Sequence, residues 1–337
     1  MPIKSHFMIY FLLLSVSLGI VYNPITKIDI NDGALSDVKK YIAIYEGKSL
    51  KEIPKPYRYR FVIPYLARCI PIPPPIVTER FEIDEIKIIK YKFGILNAFG
   101  LSLAAYFLFL FCMKLGIARM MSLLGSFLFL TNFYVINYAG LPFVDAFSYF
   151  FLIFCFYTIL AQRNFLLFTA FMLGIFVRET LVLCFVYILT IEQPIPEKMK
   201  KIALCMPGLL LYLYVRIVLL PTDIGYNYTL QRFSEVMVNY LAGLSNWMYA
   251  FLNLFFSFGF LWVLAVKGLL TLKSNGDKKL NSLLPIVPLV LIIPFLIGTD
   301  LGRIWFLVFP VVIPLSLIGL APILGLEVFE RKIREKM

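Results

Sequence analysis

The stretch FLLFTAFMLGIFVRETLVLCFVYILTI, Phe165 to Ile191, decides the fold. Apart from Arg178 and Glu179 at its centre it carries no charge. It reads either as one tilted membrane helix or as two short helices turning at Arg178-Glu179-Thr180, and the choice flips every later loop to the other side of the membrane. With a turn, Lys198, Lys200, Lys201, Lys267, Lys273, Lys278, Lys279, Arg331, Lys332, Arg334 and Lys336 all fall inside; with a single helix all eleven fall outside. Cytoplasmic loops collect Lys and Arg, so the hairpin is the expected form. It also avoids about 2.5–3.5 kcal/mol per charge for leaving Arg178 and Glu179 at mid-bilayer. Short paired helices are tolerated where they pack on protein or line a wet cavity.

Outward from this hairpin, apolar runs suited to membrane spans cover Phe7–Tyr22, Phe93–Met113, Ile117–Asn137 and Phe143–Ala161 before it. Ile202–Leu220, Leu244–Val266, Leu280–Gly298 and Ile304–Leu326 follow. The expectation is an all-α polytopic membrane protein of about ten segments, both termini cytoplasmic, in the cell membrane. The first run is short for a span and also reads as a signal peptide, with Ser15 and Ser17 near its end; either way the next segment lies outside. Four regions result: a first span (1–22), an extracytoplasmic loop domain (23–92), a multi-span domain (93–326) and a basic tail (327–337).

Composition agrees. Of 337 residues, 61% are hydrophobic and 15% charged, too apolar for an ordinary soluble domain. The net charge of +12 lies mostly in loops of one side, and nucleic acid is not an expected partner. His6 is the sole histidine, which argues against a His metal cluster or a Ser/His pair. Cys69, Cys112, Cys155, Cys184 and Cys205 have no CxxC spacing, and buried thiols are expected.

Within the loop domain, SDVKKYIAIYEG reads as a short helix opened by Ser36 or Asp37. Glu79, Glu82, Asp84 and Glu85 precede Lys87, Lys90 and Lys92, an order that suits an interfacial helix leading into the next span. The charges at the outer ends of the spans are acids and arginines: Asp29, Asp32, Asp37, Arg58, Arg60, Arg68, Asp145, Arg178, Glu179, Asp223, Arg232, Asp300 and Arg303. Two readings are open. Arg178 beside Glu179, and Asp300 three residues before Arg303, can be ion pairs that pin helix ends, and Asp37 can be a helix cap. Alternatively the cluster is a site: Arg grips phosphate in two places, and carboxylates suit proton abstraction or metal binding.

A first span, an outer loop with acids near its start (DINDGALSDVKKYIAIYEG) and a hairpin with a charged turn (LGIFVRETLVL) together resemble the GT-C superfamily of integral membrane glycosyltransferases. That group includes protein O-mannosyltransferases and lipid-A aminoarabinose transferases. PYRYRFVIPYLAR and DLGRIWFLVFP are similar to motifs of its small relatives. The resemblance implies transfer of a sugar from a polyprenyl-phosphate donor to an acceptor on the outer face. It implies Asp37 as base, with Asp29 or Asp32 as alternatives, and Arg58, Arg60, Arg178 and Arg303 on the donor phosphate. Tyr41, Tyr45, Asp145, Glu179 and Asp300 would line the substrate, and a divalent metal ion is left open. The competing class is a small transporter or lipid flippase, and a non-catalytic membrane subunit is a third. No internal repeat favours the transporter.

Overall fold

The computed structural model describes residues 3–28, 36–71, 85–221, 234–235, 238, 243–275, 278–297 and 301–328. Among them every regular element is a helix. α1 (Ile3–Lys27), α2 (Ser36–Glu46) and α3 (Val62–Arg68) precede the long α4 (Glu85–Lys114). Then come α5 (Arg119–Leu130), α6 (Phe133–Tyr138), α7 (Asp145–Leu160), α8 (Asn164–Gly174), α9 (Leu183–Thr190) and α10 (Ile195–Tyr214). The C-terminal part holds α11 (Leu244–Phe258), α12 (Leu261–Asn275), α13 (Lys278–Asn281), α14 (Ile286–Ile297), α15 (Leu301–Trp305) and α16 (Phe309–Leu320).

Among the described residues four stretches are long and apolar enough to cross a membrane: Lys4–Lys27, Glu85–Lys114, Ile195–Leu219 and Leu301–Leu320. Leu244–Phe258 with Leu261–Leu272 makes a fifth if the pair counts as one, bent by 69° at its junction. The other apolar helices are shorter. α5, for example, has 12 residues, a rise of about 18 Å against a hydrocarbon core of about 30 Å. Such helices need protein around them. Leu301–Leu320 supplies it, being buried along its whole apolar window.

The chain reverses at Arg178, where the sidedness of the lysines calls for a turn. Phe171 and Phe185 flank Arg178 at equal distance in sequence, and their ring centroids lie 5.4 Å apart. α9 therefore runs beside α7 in the same direction: Arg178 meets Asp145 at one end, and Tyr187 meets Phe156 at 4.9 Å further along. α10 returns toward the first end, where the Tyr59 hydroxyl donates to the Leu220 carbonyl at 3.2 Å. At the other end Thr190 donates to the Ser282 carbonyl at 2.5 Å, and Ala118 N–H to the Val328 carbonyl at 2.7 Å.

Three departures from the hydropathy reading bear on how the bundle packs. The run Ile117–Asn137 breaks after Leu130, because the Asn132 side chain accepts from Tyr134 N–H at 2.9 Å and starts a new helix. The run Leu244–Val266 breaks at Gly259, whose φ of +53° is open to glycine at little cost. Apolar residues flank both breaks closely, so the length of the apolar run does not register them. The third is the end of the loop region. Glu85–Lys92 is not a separate interfacial helix but the start of α4, and Glu79, Glu82 and Asp84 lie outside the described residues. Lys90 and Lys92 are buried there, donating to the carbonyls of Ile28 at 2.7 Å and Arg68 at 3.4 Å. α12 and α16 cross with almost no side chain between them. A Cβ on Gly268 would lie 1.9 Å from the Leu315 carbonyl oxygen, and one on Gly319 2.1 Å from that of Leu264. Small residues that let backbones approach are a common means of packing helices in a membrane.

Candidate functional site: a buried charge network at one end of the bundle

α2 is held by one face. Val38, Tyr41 and Ile44 recur every third residue and are buried in a cluster with Ile63, Ala67, Phe93 and Phe143. This sets the start of α2 over the ends of α7, the hairpin turn and α15. Asp37 stands in the first turn of α2, one residue inside its first residue, Ser36. Tyr57–Tyr59 forms a 3₁₀ turn that places Tyr57 against Asp37 and Arg60 against Glu179.

Asp145, the first residue of α7, is the centre of the network. Its Oδ1 accepts from Arg178 Nη1 and its Oδ2 from Arg303 Nη2. Asp145 is 2% exposed and each arginine 7%. Arg303 Nη1 also lies 3.7 Å from Asp37 Oδ2, so one guanidinium ties α15 to both α7 and α2. Arg303 lies over the Phe143 ring, 4.2 Å from its centroid, an arrangement that favours a desolvated cation. Asp37 Oδ1 accepts from the Tyr57 hydroxyl at 2.5 Å and from Lys40 Nζ at 3.3 Å. Its side chain remains 24% exposed, which separates it from the enclosed Asp145.

A second pair adjoins this one. Arg60 grips Glu179 with two nitrogens, Nε on Oε2 at 3.0 Å and Nη2 on Oε1, and its Nη1 donates to the Tyr41 hydroxyl at 3.3 Å. Burial works against the Arg60 charge, but the Glu179 carboxylate and the Tyr41 hydroxyl outweigh it and hold the guanidinium well above its ordinary pKa. Burial likewise pushes the Tyr41 phenol up, against the pull of Arg60. Around these contacts, Lys40, Arg60, Arg178 and Arg303 face three carboxylates, a surplus of one positive charge among the described residues. Arg178 Nε is buried and, among the described residues, has no hydrogen-bond partner.

The fold thus brings together Asp37, Tyr41, Arg60, Asp145, Arg178, Glu179 and Arg303. The neighbouring residues Arg178 and Glu179 have separate partners: Arg178 binds Asp145 and Glu179 binds Arg60. Arg58 is placed otherwise. It is fully buried, with its donors on the carbonyls of Ile53 at 2.6 Å, Lys51 at 2.7 Å and Pro221 at 3.4 Å. That guanidinium pins the loop and presents no free edge to a phosphate. Tyr45 packs on Phe93 of α4 at 6.0 Å, away from Tyr41, which meets Tyr57 and Phe143. Asp29, Asp32 and Asp300 lie outside the described residues, as do Asp223 and Arg232. Residue spacing overlooked Tyr57 and Lys40 as partners of Asp37, although Lys40 follows it by three residues, one helical turn away.

All five cysteines are free thiols, four of them buried. Among the described residues no group of three or more His, Cys, Asp or Glu could hold a metal ion. The three carboxylates of the network each face an arginine or lysine instead of one another, so that donor set does not fit a cation. Comparison with family models, curated proteins and solved structures finds no match to this chain. What fold and site define is an all-helical protein, four of whose helical stretches are long and apolar enough to cross a membrane, with a buried arginine–carboxylate network at one end.

Proposed function

We propose that the chain is a membrane glycosyltransferase of ten membrane segments with both termini cytoplasmic, which moves a sugar from a polyprenyl-phosphate donor to an acceptor at the extracytoplasmic face. The observation that carries this reading is the meeting of Asp37, from the loop after the first apolar helix, with Arg303 beside the Arg178–Asp145 pair. A partly exposed carboxylate and two arginines are thereby joined in one network.

In this reading the acceptor hydroxyl gives its proton to Asp37 as its oxygen attacks the anomeric carbon. The bond from that carbon to the phosphate oxygen breaks, and its electron pair stays on the lipid phosphate. Arg303 and Arg178 stabilise the growing negative charge. Asp145 holds both guanidiniums in place. With each oxygen already accepting from an arginine, it is a positioning residue and not the base. Tyr57 orients Asp37, and the Arg60–Glu179–Tyr41 set fixes the hairpin turn against the loop.

The test is turnover by purified protein in lipid nanodiscs against a panel of radiolabelled polyprenyl-phosphate sugars. Transfer by the wild type and none by Asp37→Asn, with the fold retained, is the expected result. Activity in Asp37→Asn with loss in Asp29→Asn or Asp32→Asn would move the base. Activity in all three variants would remove the mechanism.

A further inference from the structure

α4 is longer than a membrane crossing needs. Its 30 residues span about 45 Å against a hydrocarbon core of about 30 Å, so about 15 Å of the helix stands outside that core. The charges show which part. Glu85, Lys87, Lys90 and Lys92 fall in the first turns, and no further charge follows until Lys114 closes the helix. Lys92 therefore stands where hydrocarbon gives way to headgroups, at the end of α4 that faces the preceding loop.

The Lys92 side chain does not reach out into water. It is 6% exposed, and its ammonium has one carbonyl acceptor, that of Arg68 at 3.4 Å, with the Tyr45 ring centre 5.8 Å away. That is little for a group with three donors, since a buried charge is costly unless paired. Arg68, the last residue of α3, is tied to the same tyrosine. Its Nε donates to the Tyr45 carbonyl and its Nη2 to the Ile44 carbonyl at 2.9 Å, while Nη1 has no acceptor among the described residues.

Among those residues neither Arg68 nor Lys92 has a carboxylate partner, whereas Arg60, Arg178 and Arg303 each meet an acid. Tyr45 lies about 12 Å along α2 from Asp37, so this pair of cations is separate from the Asp145 network. Beside it the surface is apolar. Tyr65 and Leu66 of α3 are exposed, and Arg68 lies 5.0 Å from the Tyr65 ring centre. A tyrosine ring of this kind suits the boundary between hydrocarbon and headgroups.

We propose that Arg68 and Lys92 bind the phosphate of an anionic phospholipid from the leaflet on that side, with Tyr65 and Leu66 against its glycerol and upper acyl carbons. Basic pockets at headgroup depth take such lipids, and two cations repel the ammonium of a zwitterionic headgroup. The site needs no transfer reaction and stands apart from the proposed activity. Because Arg68 also holds the last carbonyls of α2, the bound lipid ties to the membrane the helix that carries Asp37.

The full chain in nonionic detergent is titrated with phosphatidylglycerol and, separately, with phosphatidylcholine of the same acyl chains, and bound lipid is read by native mass spectrometry. The wild type should prefer phosphatidylglycerol, and Lys92→Gln should weaken that binding about tenfold or more. Lys114→Gln, which removes a cation from the exposed far end of α4, should leave it unchanged. Arg68→Gln should show the same loss if Lys92→Gln does not fold. In the wild type alone, a photoreactive phosphatidylglycerol should label the peptide holding Tyr65 and Leu66, and a phosphatidylcholine of the same design should label it far less.

Equal affinity for the two lipids, an equal loss in Lys114→Gln, or no label on that peptide overturns the proposal. Displacement of phosphatidylglycerol by an equal concentration of inorganic phosphate overturns it as well, because the pair would then be a site for free phosphate.

Discussion

Replacing Asp145 by Asn removes one negative charge from between two guanidinium groups and changes little else in shape. Asp145 is 2% exposed and Arg178 and Arg303 each 7%, so water cannot take over the lost interaction. Removing one partner of a buried ion pair costs about 3–5 kcal/mol, because the remaining charge stays desolvated and unpaired. Here both carboxylate oxygens are in use, Oδ1 by Arg178 and Oδ2 by Arg303. An amide can accept from one of them only, and its NH₂ then faces the donors of the other, which puts the cost toward the upper part of that range. Among the described residues the positive surplus of the network also rises from one to two. Unfolding of the purified protein in detergent, followed by denaturant titration, would measure the loss. A double variant, Asp145→Asn with Arg303→Met, should recover part of it, with a coupling of about 0.5–3 kcal/mol. Asp37 keeps Tyr57 and Lys40 in that variant. Wild-type stability in Asp145→Asn, or a double-variant loss equal to the sum of the singles, would refute the view that Asp145 holds the two arginines.

Arg178→Lys and Arg303→Lys keep a cation beside Asp145 but lose the second nitrogen of the fork. Each is expected to lower turnover tenfold or more, about 1.4 kcal/mol in transition-state stabilisation, with melting nearly unchanged; normal kinetics in both would assign these arginines to structure. Gly268→Ala should cost about 1–3 kcal/mol, since its Cβ would lie 1.9 Å from the Leu315 carbonyl oxygen and α12 must move off α16. Adding Gly319→Ala should cost much less than its own single effect, because both act on one crossing; additive losses in thermal unfolding would contradict that. Cysteines placed at Ser274 and Lys332 should be labelled by a membrane-impermeant thiol reagent only from the cytoplasmic side, and one at Thr180 only from outside. Labelling at Ser274 from outside would sink the proposed orientation.

Much of the helical layout was legible in one dimension. Apolar run length and the clustering of eleven lysines and arginines in the later loops pointed to a turn at Arg178, where the chain does reverse, because hydropathy and loop charge are properties of contiguous sequence. The same reading grouped Asp37, Arg60, Asp145, Arg178, Glu179 and Arg303, which the fold brings together. Their pairing was not legible there. Arg178 reaches Asp145 across 33 residues, Glu179 reaches Arg60 across 119, and Arg303 reaches Asp145 across 158. Arg178 and Glu179 are adjacent yet point to different partners, since the extended backbone at Arg178 turns the two side chains apart. Arg58 and Arg60 look alike in YRYR, but the 3₁₀ turn sends one onto backbone carbonyls and the other onto Glu179. Which buried charges meet is settled by which helix ends the packing brings together, and in a low-dielectric interior that choice is worth several kcal/mol per ion. The breaks at Asn132 and Gly259 belong to the same class: a side-chain cap and a positive φ act on one residue each, hardly shorten the apolar run, and meet only when tertiary packing sets the two side by side.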